Sequence, residues 1–130
     1  RLQLIRQGNR IILDDSYNSN KNGFKAALDT LAMFKELRIL MTPGMVELGD
    51  KQYDENREAG VYAADKCDYA VLVGREQTKP IQDGLLEAGF AQNRMIVVDT
   101  LQEAFQMVNA IPDEKQKVVL IENDLPDNYA

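Results

Sequence analysis

The chain runs through Ile11-Ile12-Leu13-Asp14-Asp15-Ser16-Tyr17-Asn18-Ser19-Asn20, where an apolar run gives way to acids and amides ahead of a segment with helical periodicity. This order is typical of an inner strand of an open parallel sheet that ends at a ligand site. In such sheets, ligands bind outside the carboxyl ends of the strands. The helix that follows offers unpaired N–H groups at its start. Acids, Ser and Asn are also ordinary capping and turn residues. The pattern alone therefore leaves a ligand site and a capping role open.

Strand-like and helix-like segments alternate on both sides of this stretch. The turn at Gly8-Asn9 predicts a hairpin, with an antiparallel strand leading into the first inner strand. Apolar spacing predicts helices at about 22–36, 53–66, 78–88 and 101–110. Strands are predicted at about 38–41, 69–73, 94–98 and 117–121, with a capping box between Thr100 and Glu103.

Continuous apolar runs at 70–73 and 118–121 indicate parallel strands that are covered on both faces. We therefore predict an α/β fold, a Rossmann-like, doubly wound and mostly parallel sheet with one antiparallel strand near the N-terminus. The length of 130 residues suits a single domain over 1–130.

Charge and composition exclude several classes of protein. The chain has 15 basic and 21 acidic residues and a net charge of −6, so it lacks the basic field that nucleic-acid binding requires. Its apolar runs are far shorter than the roughly 18 residues of a membrane span. The single cysteine, Cys67, favours a reducing, cytoplasmic setting. Cys67 is either a low-pKa thiol or a packing residue, and the absence of histidine favours packing.

Other families with this fold bind nucleotides or phosphate through known motifs, and this sequence has these motifs incompletely or not at all. The sequence has neither the Gly-Lys-Ser/Thr ending of a P-loop nor the glycines of a dinucleotide fingerprint. Asp14 and Asp15 suit the acidic Mg²⁺ pocket of a phospho-receiver domain. By analogy, a phospho-receiver domain also has an aspartate after its third inner strand and a lysine after its last strand. Gly74-Arg75 and Glu122-Asn123 occupy these positions here.

Asp14 to Asn20 resembles the Asp-Asp-Ser-Tyr-Asn-Ala-Asn-Pro motif that opens the C-terminal domain of Mur ligases, of the type that adds D-alanyl-D-alanine. Gly44 to Gly49 is similar to the family's Gly-Asp-Met-x-Glu-Leu-Gly loop, and Ala27 to Leu31 to its Ala-Ala-Leu-x-x-Leu helix. The resemblance covers most of the chain, with the specific motifs in about the first 60 residues. The start at Arg1 resembles the point where these enzymes leave their central domain.

The resemblance implies an ATP- and Mg²⁺-dependent ligase of peptidoglycan synthesis. Such enzymes phosphorylate the carboxylate of a UDP-N-acetylmuramoyl peptide, and the amine of D-alanyl-D-alanine or a related acceptor then attacks the acyl phosphate. The family's P-loop and Mg²⁺ ligands lie in its central domain, so we expect this domain to work against that partner and to be inactive alone. No catalytic residue and no metal ligand is expected here. The alternative is a non-catalytic α/β domain that binds a nucleotide or a protein.

The family motif places the expected nucleotide contacts at Asp15, Tyr17, Asn18 and Asn20. The resemblance implies that Asp15 contacts the ribose and that Tyr17 or Asn18 lies near the adenine or the phosphates. Asn20 is expected chiefly to fix the loop. Lys21 replaces the family's proline, and is either a cation near phosphate or a solvated side chain.

Two departures concern the acceptor. Thr42-Pro43-Gly44 replaces the family's Leu-Gly-Asp, so the acid ahead of the Met-x-Glu segment is lost and Glu47 is the acceptor-side candidate in that loop. The family's Lys-Gly-Ser-Arg segment is replaced by an acidic end to the last strand. Glu122 and Asp124 are predicted either to face the ammonium of the acceptor or to form a polar terminus.

Overall fold

Helices and strands alternate along the chain in the computed structural model, which describes residues 2–16, 20–112 and 116–122. The elements are β1 (Gln3–Gln7), β2 (Arg10–Asp15), α1 (Lys21–Ala32), β3 (Leu37–Thr42), α2 (Gln52–Ala63), β4 (Tyr69–Val73), α3 (Lys79–Glu87), β5 (Met95–Val98), α4 (Leu101–Ala110) and β6 (Lys117–Glu122). Short 3-10 turns precede α2 and β5, at Gly49–Lys51 and Gln92–Arg94.

The six strands form one sheet in the order β1-β2-β6-β3-β4-β5. Among the described strands, only β1 pairs antiparallel, with β2, and the other pairs are parallel. The predicted fold class and the N-terminal antiparallel strand are confirmed. The last strand, β6, lies between β2 and β3, so the carboxyl ends of the first inner strand and the last strand are neighbours.

Each face of the sheet has its own apolar core. Side chains of α1, α2 and α3 pack on one face, with Leu13, Leu40 and Leu120 from the strands. The opposite face is covered by α4, which packs on Ile39 and Val71 among others. Because successive strand residues point to opposite faces, the continuous apolar runs supply both cores. The prediction that both faces are covered is confirmed.

The helices α2 and α3 cross at a close contact between backbones. A Cβ atom on Gly60 would lie 2.4 Å from the carbonyl oxygen of Ile81, and one on Gly84 would lie 2.0 Å from that of Arg57. Real Cβ contacts essentially never fall under 3.0 Å. Glycine is therefore required at both positions, and the crossing fixes α2 relative to α3.

Two helices end earlier than their apolar spacing predicted. We expected the first to reach residue 36, but α1 ends at Ala32 because Leu37 must join the sheet, where its N–H donates to the Gln116 carbonyl oxygen at 3.0 Å. The second ends at Ala63 rather than residue 66, and the Asp68 N–H donates to the Arg38 carbonyl oxygen at 2.8 Å as β4 approaches. Sheet pairing overrides helical periodicity at both ends.

Candidate functional site

The acids of the opening motif lie at the carboxyl edge of the sheet. Asp15 is the last residue of β2 and pairs in register with Glu122, the last residue of β6. Both side chains are buried, at 5% and 0% exposure. Strand alternation places them on the face that α1 covers, since Leu13 and Leu120 lie in that core. The fold thus brings together two of the predicted site residues, while Tyr17, Asn18 and Asp124 lie outside the described residues.

The motif also contains the capping chemistry that the sequence left open. The Ser16 N–H donates to a carboxylate oxygen of Asp14 at 3.0 Å, which closes a turn after β2. Asn20 is the N-cap of α1, and its Oδ1 accepts the Gly23 N–H at 2.8 Å. The expectation that Asn20 fixes the loop agrees with this bond. The Lys21 ammonium lies 3.8 Å from a carboxylate oxygen of Glu58 in α2, so it takes part in an ion pair.

Full burial of Glu122 bears on its predicted contact with the acceptor. A side chain with 0% exposure meets a ligand only if the residues that cover it move. Glu122 is therefore less accessible from solvent than an exposed carboxylate at this edge would be. Glu47, in the loop that follows β3, is exposed.

The loop after β3 has an irregular backbone that is held by hydrogen bonds. Gly44 has a φ of +88°, and Glu47 has a φ of +63°, the only positive value at a non-glycine residue in the described part of the chain. A left-handed backbone is uncommon for a residue with a side chain, and such residues cluster at functional sites. The Thr42 hydroxyl oxygen accepts the Gly44 N–H at 3.0 Å and starts the turn.

Three amide side chains hold this loop. The buried Asn56 of α2 accepts the Met45 N–H at 2.8 Å and donates to the Met45 carbonyl oxygen at 2.9 Å. Gln52, at the start of α2, accepts the Leu48 N–H at 3.1 Å and also donates to the Met45 carbonyl. Gln77, after β4, donates to the Pro43 carbonyl at 2.7 Å. These hydrogen bonds connect the loop to α2 and to the segment that follows β4.

A charged pair at the other end of the edge escaped the sequence reasoning. Arg75 follows β4 and Asp99 follows β5, and the Arg75 Nε lies 3.6 Å from a carboxylate oxygen of Asp99, with both side chains more than half exposed. The chain leaves β4 toward one face and β5 toward the other, so the two connections diverge here. Such divergence opens a ligand crevice in doubly wound sheets. The sequence shows that Arg75 and Asp99 each directly follow a strand. Only the strand order shows that these two strand ends are neighbours.

Burial makes the Cys67 thiol a poor nucleophile at neutral pH. Burial raises the pKa of the Cys67 thiol to about 12, and its Sγ lies 3.5 Å from the Ala63 carbonyl oxygen. The thiol stays protonated at neutral pH and packs in the core. The packing interpretation of this residue is therefore favoured.

Residues 2–16, 20–112 and 116–122 contain neither a cluster of three or more metal-ligating side chains nor a membrane-spanning helix. Within these ranges, no three His, Cys, Asp or Glu side chains lie close enough together to hold a metal ion. None of the helices described there is long and apolar enough to cross a membrane.

Comparison with known proteins gives a consistent result. The family described as "Mur ligase, glutamate ligase domain" matches residues 1–122. A UDP-N-acetylmuramoyl-tripeptide–D-alanyl-D-alanine ligase of Haemophilus influenzae is 43% identical over 54 residues, which are 42% of this chain and 12% of that protein.

Two crystal structures of MurF from Acinetobacter baumannii share the fold. Each superposes with a TM-score of 0.76 at 22% or 24% identity, over 96% of this chain. The chain spans about a quarter of those proteins, 26% and 27% of their chains. At these identities the structural likeness shows the fold.

Proposed function

Because the chain belongs to the Mur ligase family, in its glutamate ligase domain, we propose that it serves as the C-terminal domain of an ATP-dependent amide ligase of peptidoglycan-precursor synthesis. The observation that carries the proposal is the place of the family's opening motif. Asp14 to Asn20 connects the carboxyl end of β2 to the capped N-terminus of α1. That is where doubly wound sheets bind ligands.

The proposed reaction has two steps. The γ-phosphoryl group of ATP passes to the carboxylate of a UDP-N-acetylmuramoyl tripeptide, which leaves ADP and an acyl phosphate. The amine of D-alanyl-D-alanine then attacks the acyl carbon, forms the amide and releases phosphate. The choice of this dipeptide is supported by the name of the Haemophilus influenzae relative and by the type of motif. Phosphoryl transfer depends chiefly on positioning and charge neutralisation.

The share of this domain in that reaction is to contact the nucleotide and present the acceptor. We propose that Asp15, Tyr17 and Asn18 contact ATP while Asn20 holds their loop through its α1 cap. Asp15 is only 5% exposed, so its contact with the nucleotide requires the residues that cover it to move. By the family's pattern, the Mg²⁺ site of this reaction is proposed to lie on a central domain. The fold, the reaction and the family together favour a cytoplasmic enzyme.

The acceptor is a zwitterion, so its site needs an anion for the ammonium and a cation for the carboxylate. Glu122 and Asp124 remain proposed ammonium contacts, but Glu47 suits this role best, because it is exposed on a fixed loop at the carboxyl edge. The exposed Arg75 guanidinium supplies a cation at the same edge. An ammonium bound to a carboxylate by a charge-assisted hydrogen bond contributes about 1.5 to 3 kcal/mol.

The direct test is acceptor-dependent phosphate release by the full-length protein. With ATP, Mg²⁺ and UDP-N-acetylmuramoyl tripeptide, we expect phosphate and amide product only when D-alanyl-D-alanine is added. Single D-amino acids and other dipeptides serve as matched acceptors. Absence of acceptor-dependent turnover with every acceptor would refute the ligase assignment, whereas turnover with a different acceptor would refute only the dipeptide.

The isolated 130-residue chain provides a second test. We expect it to fold but to show neither ATPase nor ligase activity, and to bind ATP poorly, because it forms one wall of an interdomain cleft. A tight, stoichiometric ATP complex in calorimetry would instead favour a free-standing nucleotide-binding domain. The residues encoded before Arg1 should include a Gly-Lys-Ser/Thr P-loop.

A further inference from the structure

We propose that Asn56 is a positioning residue for acceptor binding. Its buried amide holds the loop after β3 in the conformation that keeps Glu47 in place at the carboxyl edge of the sheet. The inference rests on the proposed function, since it takes Glu47 as the residue that receives the acceptor's ammonium. Asn56 itself is fully buried and meets no ligand.

The conformation of Glu47 has to be imposed by its surroundings. A φ of +63° is disfavoured at any residue with a Cβ atom, so an unrestrained loop would relax to another conformation. Such strain persists only where neighbouring contacts over-determine the backbone. Relaxation would redirect the side chain and so move the carboxylate away from its ligand.

The restraints lie on both sides of Glu47 in the sequence. Asn56 engages both backbone groups of Met45, the N–H at 2.8 Å and the carbonyl at 2.9 Å. Gln52 engages the N–H of Leu48 at 3.1 Å. The Met45 side chain is itself buried in the core. The two residues between these anchors, Val46 and Glu47, are exposed.

The chemistry of the Asn56 site requires an amide. The side chain accepts one hydrogen bond and donates two, the second to the Gln52 carbonyl at 2.8 Å. A carboxylate of the same size has no donor and would bury a charge. Gly44 leaves room for this amide, because a Cβ atom on Gly44 would lie 3.1 Å from the Asn56 Oδ1.

Asn56→Ala in the full-length ligase tests the proposal. We expect the KM for the acceptor to rise on the order of tenfold, as for loss of a charge-assisted hydrogen bond, while the KM for ATP changes less than about twofold. Val108→Ala is the matched control, since Val108 is equally buried but lies on α4, on the other face of the sheet. Its loss of core packing should leave both KM values unchanged.

Gln52→Ala keeps the test decisive if Asn56→Ala does not fold. Gln52 is half-buried at the start of α2, so its removal spares the core, and it should raise the acceptor KM by a smaller factor. Faster exchange of the Leu48 amide proton in this variant would show that the loop has loosened. A loosened loop with an unaltered acceptor KM would overturn the proposal.

Glu47→Gln distinguishes failure of the proposed acceptor contact from failure of the positioning role of Asn56. If it leaves the acceptor KM unchanged, the acceptor role of the loop is wrong and the proposed function must place the ammonium elsewhere. If it raises the acceptor KM while Asn56→Ala matches Val108→Ala, only the positioning role is wrong. If Asn56 acts through Glu47, the double variant should show the same acceptor KM as Glu47→Gln alone.

Discussion

Replacing Gly84 with alanine tests the packing that carries the candidate site, because α2 both starts next to the loop after β3 and crosses α3 at this glycine. The added Cβ would lie 2.0 Å from the Arg57 carbonyl oxygen and 2.9 Å from the Val61 nitrogen. Both neighbours are backbone atoms, which cannot rotate away as a flexible side chain would. Against a shortest tolerated contact of 3.0 Å, the helices must separate by about 1 Å.

The size of the effect follows from two opposing contributions. Overpacking a well-packed contact costs about 1 to 3 kcal/mol, or more where the backbone must shift. Alanine is a better helix former than glycine by about 1 kcal/mol, which offsets part of this. Because the Gly84 contact is with backbone atoms, the cost lies at the upper end, about 3 kcal/mol or more, and we expect a net loss of about 2 kcal/mol or more in the free energy of unfolding. Gly60→Ala, whose nearest contact is 2.4 Å, should cost less.

Urea denaturation of the 130-residue chain, followed by circular dichroism, measures these losses. Gly89→Ala is the matched control, because no atom lies within 4 Å of its Cβ position and only its φ of +87° is penalised, by about 1 kcal/mol. The variant with both Gly60 and Gly84 replaced should lose less than the sum of the single losses, since the first alanine already separates the helices. A Gly84→Ala protein within about 0.5 kcal/mol of the parent would refute the close crossing.

Three further outcomes follow from the site and its surroundings. In the full-length ligase, Asp15→Ala should lower kcat/KM for ATP by roughly 5- to 150-fold through the loss of about 1 to 3 kcal/mol; a lower melting temperature with unchanged ATP kinetics would show a structural role instead. Glu47→Gly should relieve the left-handed strain and stabilise the fold by up to about 1 kcal/mol, while the acceptor KM rises; loss of stability would contradict the strain. Asp68 is expected to stabilise the fold above about pH 4, because burial, which raises its pKa, is outweighed by hydrogen bonds and charge from Arg38, which lower it. This stabilisation should disappear as pH falls through the lowered pKa, and Asp68→Asn should flatten that part of the pH–stability curve.

The sequence by itself determined the kind and order of the elements. The strand at Tyr69–Val73 and the helix at Leu101–Ala110 were predicted with their observed bounds, and the Thr100–Glu103 capping box is present. These features depend on residues within about four positions of one another, through apolar periodicity and side-chain caps. Asn20 shows the same locality, since its capping bond reaches only to Gly23.

Only the tertiary structure decided which distant residues meet. The insertion of β6 between β2 and β3 places Glu122 beside Asp15, and Glu122 is buried, whereas the sequence left an acceptor contact and a polar terminus open for it. The amide of Asn56 and the left-handed backbone of Glu47 had no recognisable pattern. Strand order and helix crossings are set by how apolar faces pack across the whole domain, so their consequences for single side chains cannot be read from local periodicity.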